Sequence, residues 1–136
     1  MSKFKKAFGL NKTRIEEGRW IPHEGMEFLI ASARKKAFAD EFAELPRRFP
    51  GGMVKTRGAE LALHKLVAEH LLLDWRGVDD DQGNPIPYSA QAAARLFEEE
   101  PLFVEFVIQT ANKEAFFQTQ AEEAQLGNSA PVSAGT

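Results

Sequence analysis

The stretch 71–89, LLLDWRGVDDDQGNPIPYS, constrains the fold more than any other, because an apolar run ends in it, a polar turn follows and a new helix begins. Leu71, Leu72, Leu73 and Trp75 close the apolar run, and Gly77 stands where a helix can stop at positive φ, which costs glycine least. Asp79, Asp80, Asp81, Gln82, Gly83 and Asn84 are turn formers. Pro85 and Pro87 hold φ, lack N–H donors and draw the chain into an extended path. Ser89 is placed to cap the helix that follows. Trp75 is expected as a buried anchor between helices, with Gly77 as the helix stop.

Upstream, residues 59–76 predict the strongest helix, central in the fold. Lys65 and Glu69 form its polar arc, while Leu61, Leu63, Leu66, Val67 and Leu71–Leu73 spread over most of the circumference. Residues 14–22 and 26–33 predict two strands joined by a turn at His23, Glu24 and Gly25, with Gly18 marking a bulge or a weak first strand. A lone hairpin is marginal, so it must pack on helices or add to another sheet. Trp20 is expected in the core or, failing that, exposed for a partner. Residues 35–45 predict a helix with Ala37, Phe38, Phe42 and Leu45 inward and Pro46 as its boundary. Residues 89–100 predict a short helix, and Pro101 suits the first turn of a last helix running to about Gln125. That helix has two apolar stripes: Leu102, Phe103, Phe106 and Phe117 on one side, and Val104, Ile108, Ala111 and Ala115 on the other. The Phe-rich stripe is expected to take the core. Val104, Ile108, Ala111 and Ala115, with Phe116 beside them, then form a partner-binding or self-association surface, unless the hairpin and neighbouring helices bury both stripes.

The 136 residues, 43% hydrophobic, suit one domain. The expectation is a mainly α (α+β) fold of about four helices packed with an N-terminal β-hairpin. Residues 1–13 read as a basic mobile arm, 14–126 as the globular part and 127–136 as a disordered tail. With no cysteine, the sequence has neither disulfides nor thiolate ligands, which suits a reducing compartment. No run approaches a membrane span and the first residues lead into no secretory segment, so the cytoplasm is expected.

The chemistry-bearing patterns are sparse. His64 and His70 lie six apart, off the i, i+4 spacing of helical metal ligands. The Asp79 turn begins like a calcium loop but has Ala90 where the bidentate Glu belongs. Glu98, Glu99 and Glu100 are adjacent on a helix and diverge, which reads as a solvated helix end. Gly52 to Gly58 lacks the order of a phosphate loop. The expectation is therefore no enzyme, no cofactor and no metal. Charge is split along the chain: residues 1–57 hold 13 Lys/Arg against 7 Asp/Glu, and residues 58–136 hold 4 against 13. Such a dipolar chain can steer self-association or a charged partner.

Trp75-Arg76-Gly77-Val78-Asp79, Gly83 and Pro85-Ile86-Pro87-Tyr88-Ser89 resemble the middle of the tail assembly chaperones of long-tailed bacteriophages, siphophages among them. Trp20-Ile21-Pro22, Glu27-Phe28 and Leu126-Gly127-Asn128 are similar to other parts of that pattern. The resemblance implies a non-catalytic protein that binds the tape measure protein, helps recruit tail tube subunits, works in the host cytoplasm and is not retained in the mature virion. Neither nucleic-acid nor membrane contact is expected, because the basic lead of Lys3, Lys5, Lys6 and Lys12 has fewer charges than such an interface usually needs. The alternative is a small nucleic-acid-binding or regulatory protein using Lys3, Lys5, Lys6 and Lys12 of the basic arm. A hydrolase or nuclease using the acidic loop is a weaker third reading.

Overall fold

A computed structural model of the chain describes residues 2–50 and 56–119. Two short helices come first, α1 (Lys3–Phe8) and α2 (Lys12–Glu17), followed by strands β1 (Arg19–His23) and β2 (Met26–Ile30) and helix α3 (Lys36–Arg48). Helix α4 (Arg57–Leu66) then runs through a π turn (Val67–Leu71) straight into β3 (Leu72–Arg76). Helices α5 (Ala90–Glu99) and α6 (Pro101–Ala111) and a 3-10 turn (Glu114–Phe116) complete the described chain. The expected α+β domain, with helices packed on an N-terminal hairpin, is what forms, but with six helices and a third strand among the described residues.

The hairpin follows from its turn. Glu24 and Gly25 both have positive φ, 51° and 80°, the pairing that matches the strand twist across a two-residue connection. His23 therefore faces Met26, and Ile21 faces Phe28. The first strand is shorter than expected: residues 12–17, which include Ile15, are helical, and Gly18 closes α2 at φ 84° instead of bulging a strand. Ile21 is buried while Trp20, on the opposite face, is half-buried beneath the Arg76 guanidinium, 3.8 Å above its ring. Trp20 is thus not in the core.

The main correction concerns residues 59–76. They are not one helix, and β3 pairs antiparallel with β2, making β2 the centre of a three-stranded sheet. Leu29 faces Asp74 and Ile30 faces Leu72, so Leu73 is the extra residue of a bulge. That bulge lets Leu72 and Trp75, three residues apart, both turn into the core. Strict alternation would have put one of them in water. Trp75 is buried as expected, but on a strand. Gly77 has the expected positive φ, 79°, but it ends a strand and not a helix.

Ser89 caps α5 by accepting from the Ala92 amide at 2.9 Å, and Pro101 opens α6. Helix α3 continues through Pro46 to Arg48, because Leu45, fully buried, anchors the turn that the proline would otherwise break. Phe42 is stacked on Phe38 at 5.5 Å and yet 40% exposed, so it is not inward as expected. Helix α6 stops at Ala111, short of Gln125; residues 120–136, with the expected disordered tail, lie outside the described residues.

Residues 2–13, within the stretch read as a basic arm, carry two short helices. Ser2 caps α1 and Asn11 caps α2. The link between them is tied down, with the Asn11 amide donating to Phe117 O at 2.7 Å and the Thr119 amide to Gly9 O at 2.8 Å. Helix α1 nonetheless buries no residue, and Phe4 and Phe8 are each 70% exposed.

Inside, one face of the sheet offers Ile21, Phe28, Ile30, Leu72 and Trp75 to the helices. Phe103 of α6 is the hub, its ring 5.3 Å from Phe28, 5.1 Å from Phe97 and 6.3 Å from Trp75. Large rings at these separations supply much of the buried apolar area that drives a domain of this size to fold.

Candidate functional site

The strap after Gly77 is built by the residues read as turn formers. Ile86 N–H donates to Val78 O at 2.9 Å, and Asp80 Oδ1 accepts from the Gln82 and Asn84 amides, both at 2.9 Å. The Asp80 oxygen that a cation would want is thus engaged by backbone amides. Trp75 Nε1 donates to Ile86 O at 2.7 Å, and the Tyr88 hydroxyl donates to Leu72 O at 2.5 Å. Burial, helped by Asp74, raises the Tyr88 pKa and keeps that hydroxyl a donor. Two extended-chain residues are in this way stapled to β3.

Between the strap, β2 and the α5–α6 corner lies an open trough of about 570 Å³. Its apolar floor comes from Met26 and Phe28 on β2, Val78 and Ile86 on the strap, Leu96 on α5, and Phe103 and Phe106 on α6. Along the edge stand Asp79, Asp80, Asp81, Glu99 and Glu100, with Arg95 near Glu99 at 3.7 Å. His23 closes one end, its ring 4.4 Å from that of Phe106. Leu102, at the lip, is 78% exposed. An apolar floor with a predominantly acidic rim suits an amphipathic cationic segment, burying its apolar side chains while the rim meets its charges.

The residues expected to bind a partner are placed differently. Val104 and Ala111, 7% and 2% exposed, lie in the core. Ile108 is half-buried and packs against that core, and Ala115 and Phe116 are half-buried in and around the 3-10 turn. Helix α6 therefore does not divide into a Phe core stripe and a free stripe of small residues; it buries Val104, Val107, Thr110 and Ala111 and leaves Leu102 out. Phe116 instead lines a smaller hollow of about 260 Å³ with Ile21, Pro22 and Phe106. The trough residues were legible only in fragments. The acidic turn and the acidic end of α5, each tested alone for metal or catalysis, converge on one rim.

Two further clusters bear on chemistry. Glu98 is not part of a solvated helix end: it reaches Arg57, and its Oε1 lies 3.5 Å from His64 Nδ1, both atoms buried without a hydrogen bond. Burial lowers the His64 pKa from its ordinary 6.5, with Glu60 opposing and Arg57 adding to the shift. The unfolded chain thus binds more protons at this site than the folded one. The His64 contribution to stability is present in full above pH 6.5 and lost as the pH falls toward the depressed folded value. Urea midpoints taken from about pH 8 down to pH 5 are expected to decline more steeply in the native protein than in His64→Gln. A shallower decline would mean that Glu98 draws the proton onto the ring. On α3 and the π turn, Glu41, Glu69 and His70 bring ligand atoms within 4.8 Å of one another, and His70 Nε2 holds Glu41 at 2.6 Å. With Lys35 Nζ on His70 O at 3.3 Å, this pair clamps α3 to the π turn. Among the described residues, no helix is long and apolar enough to cross a membrane.

No curated protein and no solved structure matches the chain. A family model does, over residues 29–128, from the last residues of β2 through the strap, α5 and α6. That span covers most of the trough and most of the chain, and by it the protein belongs to the YdaY prophage protein family and is phage-derived.

Proposed function

We propose that this prophage protein is a non-catalytic tail assembly chaperone, whose trough holds a helical segment of the tape measure protein. In the host cytoplasm it keeps that long protein soluble, helps gather tail tube subunits around it, and leaves before the virion is complete. The observation that carries the reading is the trough, with an aromatic floor, an acidic rim and an exposed Leu102 at its lip. Helices seat apolar residues at i, i+3/i+4 and i+7 in such grooves, with charge at the rim choosing the partner. The prophage family agrees with a phage role, and the tape measure protein is named as partner on the sequence resemblance alone. The half-buried Ile108, Ala115 and Phe116 lie outside the trough and are secondary contacts at most.

Coexpression with the tape measure protein of the same prophage is expected to give a soluble complex that copurifies. Leu102→Asp combined with Asp81→Lys should reduce the captured tape measure protein by about tenfold or more, since it places charge on the lip and inverts part of the rim. Both positions are exposed, so far-UV circular dichroism should be unchanged. Undiminished capture by that variant would overturn the assignment. The alternative, contact with nucleic acid through Lys3, Lys5, Lys6 and Lys12, has the unburied lysines of α1 in its favour. It predicts a steeply salt-dependent shift of labelled DNA.

A further inference from the structure

We infer that the trough has a second occupant, the α1 helix of another copy of this chain, so that the protein stores itself as head-to-tail assemblies. The inference rests on the trough being a peptide-binding groove, as proposed above, but not on which partner it meets in phage assembly.

Three observations support it. Phe4 and Phe8, at i and i+4, form an apolar ridge with rings 5.3 Å apart, each 70% exposed, on a helix that buries nothing of its own. Beside that ridge stand Lys3, Lys5 and Lys6, opposite in sign to the rim acids Asp79, Asp81, Glu99 and Glu100. The ridge suits the apolar floor and the lysines suit the rim. Finally, α1 is held away from its own trough, since Gly9 O and the Asn11 amide are bonded to Thr119 and Phe117 beyond α6. The C-terminal stretch 120–136 is a poorer occupant, because it carries Glu122 and Glu123 and no Lys or Arg.

A six-residue helix covers far less than the roughly 1,200–2,000 Å² of a stable interface, so the contact is weak and concentration-dependent. Ridge and trough are different surfaces, so the contact is heterologous and propagates as chains or rings instead of closing as a two-fold dimer. A tape measure helix would compete for the same trough and release monomers.

Sedimentation velocity on the full chain tests this. Self-association is expected to rise with protein concentration and to weaken about tenfold or more between roughly 0.05 M and 0.5 M salt. Phe4→Ser with Phe8→Ser should leave a folded monomer. So should Lys3→Glu with Lys5→Glu and Lys6→Glu, and so should the combined exchange of the exposed rim acids Asp79→Lys, Asp81→Lys, Glu99→Lys and Glu100→Lys. The last two, each monomeric alone, should associate when mixed, because the acidic α1 of one then meets the basic rim of the other. A wild-type monomer at every concentration, association indifferent to the α1 variants, or charge-swapped chains that stay apart would each overturn the inference. So would a cross-link from α1 to the rim formed within single chains. If such a monomer still captures the tape measure protein through the trough, self-storage fails and the proposed function stands.

Discussion

Phe97→Ala is expected to lower the stability of the domain by about 3–5 kcal/mol, the largest effect of any single truncation proposed for this fold. Phe97 is fully buried, and it is the point where α4, α5 and α6 meet: its ring lies 5.1 Å from Phe103 and 6.0 Å from His64. Removing it takes a large apolar area out of the core and opens a cavity that three helices cannot all close around. Against a total stability of roughly 5–15 kcal/mol, that is a large part of what holds the domain together. Urea unfolding should show the midpoint falling with an unchanged slope. A loss under about 1 kcal/mol would mean that α5 is not seated on the core.

Gly77→Val should cost about 2–4 kcal/mol, and Gly77→Asn clearly less. Gly77 has φ 79°, and a Cβ there would lie 3.3 Å from Gly25 O in the hairpin turn. Both variants must fit that atom, but a β-branched side chain tolerates the left-handed region far worse than asparagine does. Since Gly77 releases β3 into the strap, the valine variant should also displace Val78 and loosen the trough floor. Thermal melts of the two variants check the energy. Equal, small shifts would contradict the role of the conformation.

How much of this was legible depends on whether a feature is local. The hairpin turn at Glu24 and Gly25, the Ser89 cap, Pro101 at a helix start and the positive φ of Gly77 are each decided by a few adjacent residues, and each forms. The path of residues 59–76 is not. Leu61, Leu63, Leu66, Val67, Leu71, Leu72, Leu73 and Trp75 would on a single helix be spread around most of the circumference, leaving only the arc of Lys65 and Glu69 polar. That excess of apolar circumference was the available sign that the stretch is not one helix. Its cause is tertiary, because the strand exists only where β2 presents an edge, and local propensity cannot see the edge. Helix α6 was misread for a related reason. Two apolar stripes look like a core face and a spare face until the sheet and α5 are known to flank the helix. Leu102, by spacing a member of the core stripe, is left exposed at the lip of the trough.

The sheet is assembled from distant pieces of chain, since β1 and β2 are neighbours in sequence while β3 arrives only after α3 and α4. On a ribosome, where the chain emerges from its N-terminus, the hairpin is exposed with its β2 edge unpaired until Leu72–Arg76 has followed. Nascent chains of this protein therefore pass through an interval in which Phe28 and Ile30 lack the strand and helix that later cover them. Crowded polysomes producing it would bring many such edges together. Faster synthesis is then expected to lower the share of chains that reach the native fold, even with final stability unchanged.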